Sequence, residues 1–167
     1  MTIKITIDFA TMALVWIGGL LVLGVVGLTI GDIFARWVFQ TGFIGLVDVT
    51  QFAVVGFAYL ALPRVFWTDA NVAIELYDDR ISSTIDTLLR ILALLLALGV
   101  LALLVWYGWI QADRTYGYGD VSQNIGIPMI GFWALILTGL GVSALIIVLS
   151  LVQSLAALMH GRSVDAD

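Results

Sequence analysis

The chain contains no cysteine, one histidine and two prolines among 167 residues. The absence of cysteine removes disulfides and thiol chemistry. The lone histidine, His160, lies near the C-terminus, outside any expected helical core. It cannot supply the paired axial ligands of a membrane cytochrome, and no zinc-spaced cluster or Ser/His/Asp set forms around it. Charge is scarce as well, at 11% of residues, against about 25% in a typical soluble domain. Lys and Arg number 7 against 12 Asp and Glu, for a net charge of −5. No basic patch exists to follow a phosphate backbone, which excludes nucleic acid as a partner. Neither a GxGxxG nor a GxxxxGK[ST] loop occurs, so no nucleotide site is indicated and no cofactor is expected. What fills the chain instead is apolar: 62% hydrophobic residues and a mean hydropathy of +1.10. Such a surface cannot face water over most of its area, so lipid is the expected solvent.

Four apolar stretches organise the sequence. The first is uncharged from Phe9 to Gly31, long enough to cross the hydrocarbon at about 20 residues per crossing. It exceeds the h-region of a signal peptide and lacks an A-x-A site, so an uncleaved helix is expected. The second, between Asp48 and Arg64, is short and spans if Arg64 snorkels toward the headgroups. The third, Ile91 to Ala112, has a Leu-rich middle, and the fourth is uncharged from Pro128 to Met159. Pro128 is expected to open that helix through its fixed φ. Lipid admits only helices and closed barrels, and no alternating ten-residue strands are present. The expectation is therefore an all-α membrane protein, a single four-helix integral domain over 1–167 with spans near 9–38, 46–67, 88–112 and 128–152.

Four crossings place both termini on one side. Lys4, Arg64, Arg80, Arg90 and Arg162 fall on that side, and Arg36 and Arg114 on the other. The positive-inside rule makes the first side cytoplasmic. Trp37, Trp106, Trp109 and Trp133 then gather near the outer interface, with Trp16 and Trp67 near the inner one. Between spans two and three, Ile74, Tyr77, Ile81, Ile85 and Leu88 recur at helical spacing, opposite a row of Glu75, Asp79, Ser82, Asp86 and Arg90. This pattern predicts an amphipathic helix on the cytoplasmic surface over Val72–Arg90. Its polar face is either simply solvated or a docking surface for another protein.

Ionisable groups near the membrane are the leading site candidates. Asp32 and Arg36 are four apart at the end of the first helix and can pair. They either lower the cost of two charges near lipid or contact a partner helix. Asp48 and Gln51 open the second span, where Asp48 reads either as an N-terminal cap or as a functional carboxylate. The middles of spans one, three and four carry no charge, and no internal repeat of the kind found in many self-sufficient carriers is visible. Gly24, Gly27 and Gly31 line one helix face, with Gly27 and Gly31 as a GxxxG pair. Gly131, Leu135, Gly139 and Ser143 line a face of the fourth helix. Small-residue faces of this kind let helix backbones approach closely.

These residues resemble a known family. Asp32-Ile33-Phe34-Ala35-Arg36-Trp37-Val38-Phe39 is similar to the "xRyvf" element of the small membrane subunit of tripartite ATP-independent periplasmic (TRAP) transporters. Asp48 resembles the acidic residue that opens that family's second helix. Asn71-Val72-Ala73-Ile74-Glu75-Leu76 is similar to its "gHIxVDxl" element, with Asn in the place of the frequent His and Glu for Asp. Ser122 to Pro128 resembles the "s…lgiP" before its fourth helix. The resemblance implies a bacterial inner-membrane subunit without catalytic or substrate-binding residues. Its partners would be membrane lipids, a large permease subunit and, through the complex, a periplasmic substrate-binding protein. The system would take up an organic acid, coupled to sodium, with the small subunit extending a stationary scaffold. Gly27, Gly31, Asp32, Arg36, Asp48, Gln51, Asn71 and Glu75 are the candidate partner-interface residues. The competing expectation is a membrane-anchor subunit of a respiratory or quinone-linked enzyme complex.

Overall fold

A computed structural model describes residues 2–68 and 83–160. Four helices account for nearly all of them: α1 (Thr2–Phe39), α2 (Leu46–Trp67), α3 (Ser83–Tyr118) and α4 (Ile130–His160). All four contain a stretch long and apolar enough to cross a membrane. At 1.5 Å per residue, α1 with 38 residues and α3 with 36 are each more than about 50 Å long. Hydrocarbon is about 30 Å thick, so these two helices tilt or project beyond it. Charge ends a hydrophobic run without ending a helix, which is why α3 continues past Asp113 and Arg114.

The predicted amphipathic helix over Val72–Arg90 lies largely outside the described residues, and so do Asn71 and Glu75. Its final residues, from Ser83, belong to the first turns of α3. The fourth helix begins at Ile130 and not at Pro128. Pro128 instead forms an antiparallel bridge with Val121. Its missing N–H is tolerated there because the bridge uses neighbouring groups: Met129 N–H donates to the Asp120 carbonyl at 2.9 Å, and Ser122 N–H to the Ile127 carbonyl at 2.8 Å.

The helices touch in the order α1, α2, α4, α3. The core lies where α2, α3 and α4 meet. Leu101, Leu140 and Ile147 are buried there, with Tyr59, Leu62 and Phe66 of α2 packed against them. Phe52 and Phe132 meet edge to face at a centroid distance of 5.1 Å, joining α2 to α4. Closest approach between these two helices depends on Pro63 and Gly139. Pro63, buried inside α2, lacks the N–H that would bond the Tyr59 carbonyl. The Gly139 backbone lies against that carbonyl, where any Cβ would overlap the oxygen. Gly139's own carbonyl accepts from the Ser143 hydroxyl at 2.8 Å, and Ser143 is fully buried.

The glycine face of α1 behaves differently. Gly24 and Gly27 have nothing within contact range of an added Cβ, and Gly31 has only the Phe43 ring at 3.9 Å. The α1 glycine that does meet α2 is Gly18, against Phe57. The GxxxG pair therefore points away from every helix described in this chain.

Several threonine hydroxyls on the helices are satisfied within their own backbone, whereas the buried Ser154 hydroxyl has no partner among the described residues. Thr11, Thr29, Thr50 and Thr138 each donate to the carbonyl four residues earlier, at 2.7–2.9 Å. That habit removes the cost of a bare hydroxyl in lipid.

Candidate functional site

The polar chemistry of the chain is concentrated at the two ends of the helices. At one end, the α1–α2 and α3–α4 connections come together around two buried carboxylates, Asp32 and Asp48, each 4% exposed.

Asp32 sits two turns before the end of α1. Its Oδ2 accepts from Arg36 Nε at 2.7 Å, so the pair expected from the i, i+4 spacing is formed. Its Oδ1 accepts the Phe43 N–H from the following loop. One carboxylate thus joins the last turn of α1 to the chain that reverses after it. The reversal starts at Gln40, whose φ of 58° caps the helix in the left-handed region, with its N–H on the Arg36 carbonyl at 3.1 Å.

Asp48 does not cap its own helix. The N-cap of α2 is Gly45, with no side-chain cap bond. Asp48 is turned across the bundle to the α3–α4 loop. Its Oδ2 accepts from the Ser122 hydroxyl at 2.8 Å and from the N–H groups of Asn124 and Ile125 at 3.1 Å each. Its Oδ1 accepts from the Asn124 side-chain amide at 2.8 Å. The physical reason is competition: four donors on a preformed turn outbid the N–H groups of the first helical turn. The turn is itself locked, since Ser122 Oγ also accepts the Ile127 N–H at 3.0 Å. Ile125 then packs on Gly45, whose φ of 88° requires glycine and whose missing side chain leaves the room that Ile125 occupies.

At the opposite end, Arg64 pairs with Asp8 and also reaches the Asp8 carbonyl at 3.4 Å and Thr11 Oγ1 at 3.3 Å. The Trp67 indole N–H donates to Asp8 at 3.1 Å. The pair forms because α1 extends to Thr2 and places its first turns beside the last turn of α2.

Of the expected site residues, Asp32, Arg36 and Asp48 gather at the loop end, with Gly31 just below them against Phe43. Gln51 is on the exposed side of α2, and Gly27 is apart from the cluster. Asp8 as the partner of Arg64, and Trp67, Ser122 and Asn124 as carboxylate partners, were not anticipated. The signal for the last two was present, since Ser and Asn before a Gly-x-Pro are turn formers with donors to spare. Nothing in spacing says which carboxylate they meet. Among the described residues, no three His, Asp or Glu side chains come together as metal ligands.

Three of the four motif elements noted in the sequence therefore converge at one end of the molecule. The family model of the Tripartite ATP-independent periplasmic transporters, DctQ component, matches residues 25–157. The chain belongs to this family. It is a TRAP transporter small membrane subunit, a multi-pass protein of the inner membrane, and a transport component, not an enzyme. Small subunits of this family work with a large permease and a substrate-binding protein. No curated protein matches the chain. In this small subunit the matched region begins at Val25 and takes in both buried carboxylates, the donor turn and the α2–α4 crossing.

Proposed function

We infer that this small subunit is a passive brace for its large permease and carries no solute itself. The complex takes up an organic acid delivered by a periplasmic binding protein, coupled to sodium. Both termini are cytoplasmic, which places the Asp32 and Asp48 clasps on the periplasmic side. The large subunit packs on the face of α1 that holds Gly27 and Gly31, beside Asp32 and Arg36. Asp48 and Gln51 extend that contact at the start of α2, and Asn71 and Glu75 contribute a second one on the cytoplasmic side.

The observation that carries this reading is the open glycine face of α1. Glycine weakens a helix by about 1 kcal/mol relative to alanine. Gly24 and Gly27 meet nothing among the described residues, so a partner helix is the natural use of that face. The clasped loops add support, because a brace must hold its shape. The test is twofold. The full chain, extracted in mild detergent, is expected to copurify with a much larger multi-pass protein. Reconstituted alone, it is expected to show no saturable solute uptake; concentration-limited uptake by the lone chain would overturn the reading.

A further inference from the structure

Arg36 is held in place but not used up. Its Nε is fixed on Asp32 at 2.7 Å. Its guanidinium also lies against the backbone of Gly42, where a Cβ would come within 2.6 Å of it. Among the described residues it has no other acceptor, and its side chain is 63% exposed. A guanidinium offers five donors in a rigid fork, so the two terminal nitrogens remain available in a fixed place.

Beside them is a hollow of about 400 Å³, lined by Arg36, Gly42, Phe43, Ile44, Val47 and Asn124. The lining is mixed, with Arg36 and Asn124 beside apolar Phe43, Ile44 and Val47. Trp37, Phe39, Phe43, Ile44 and Val47 are all exposed, Ile44 to 84%. A cation beside exposed Phe43 and Ile44, on a last helical turn that also exposes Trp37 and Phe39, marks the depth where hydrocarbon meets headgroups.

We propose that this hollow binds the phosphodiester of a phospholipid, with Arg36 on the phosphate oxygens and the acyl chains over the apolar collar. Planar guanidinium and phosphate match in bidentate geometry. Charge complementarity alone would also admit free phosphate, but a hydrated anion leaves the collar bare, whereas a lipid covers it. Asp32 neutralises part of the Arg36 charge, and its more important effect is to orient the fork. Arg36 borders the face proposed above for the large subunit, so the lipid sits at the rim of that contact, and its site is built from residues of this chain alone.

The test is native mass spectrometry of the full chain, titrated with phosphatidylglycerol. The variants are Arg36→Gln and Gly42→Ala. The second keeps every charge and displaces the guanidinium. With helicity unchanged by circular dichroism, each is expected to weaken the tightest lipid equivalent by about tenfold, the order of a lost charge-assisted bond. Diacylglycerol, which lacks the phosphate, is expected to bind wild type and variants alike, and millimolar inorganic phosphate is expected not to displace the lipid. Equal lipid affinity in wild type and both variants overturns the proposal. So does a loss in Arg36→Gln alone, which would make the effect one of general charge. Displacement by inorganic phosphate would assign the hollow to a free anion. Unchanged lipid binding with loss of a copurifying protein would assign it to a partner's carboxylate.

Discussion

The two central helices and the two flanking ones obey different rules. In α2 and α4, 28% of the most apolar membrane-length stretch is buried within the chain; in α1 and α3 the share is 6%. Hydropathy does not predict this division. The most apolar membrane-length stretch of the four lies in α3 and the least apolar in α2. In water that order would be reversed, because burial would follow apolar area. In lipid, an apolar side chain gains little by leaving the hydrocarbon, so burial follows close packing and polar satisfaction. The central pair has Gly56, Pro63, Gly139 and Ser143 at its crossing, together with the Asp48 carboxylate. The flanking pair presents Trp16, Leu20, Leu96 and Trp106 outward.

The contrast can be broken most sharply at Gly139. Gly139→Ala puts a methyl onto the Tyr59 carbonyl, and overpacking of this kind costs about 1–3 kcal/mol. The expected result is a thermal midpoint in mild detergent lower by about 2–10 °C; an unchanged midpoint would mean that the α2–α4 crossing is not tight. Asp48→Asn comes next. It trades an oxygen that accepts three hydrogen bonds for a group that cannot match them all. Amide exchange at Asn124 and Ile125 is expected to rise by about tenfold or more, with little change in the middle of α4. Exchange that stays slow would show that the loop is held by Ile125 on Gly45 alone. A smaller effect is expected from Asp8→Asn. The pair with Arg64 is partly exposed, and such pairs contribute little to stability, so the midpoint should shift by no more than about 2 °C. The smallest effect on the isolated chain is expected from Gly27→Leu, which meets open space and should leave the midpoint unchanged. The same variant, combined with Gly31→Leu, is expected to loosen copurification of the large subunit. A complex that survives both changes would remove α1 from the proposed interface.

Particular residues show how far the sequence could be read. The Asp32–Arg36 pair was legible because spacing along one helix fixes neighbours within the turn. Gly139 and Ser143 were legible as a packing face for the same reason, although not their partner. Asp48 was left open between a cap and a functional carboxylate, because a carboxylate in a first turn has a local use that sequence can see and a distant one that it cannot. The donors it prefers are more than seventy positions away. The ion partner of Arg64 was illegible for a similar reason: without the relative placement of α1 and α2, nothing in the spacing joins Arg64 to Asp8.

By itself, the sequence determined the solvent, the helical class, the four apolar helices and the family, because each of these depends on composition or on order along one strand of chain. Which glycines face a neighbour, which carboxylate meets which loop and which helices stand at the centre were decided by the tertiary structure. In lipid the apolar residues are nearly interchangeable in energy, so the arrangement is selected by a few close backbone contacts and buried hydrogen bonds, and those join residues far apart in the chain.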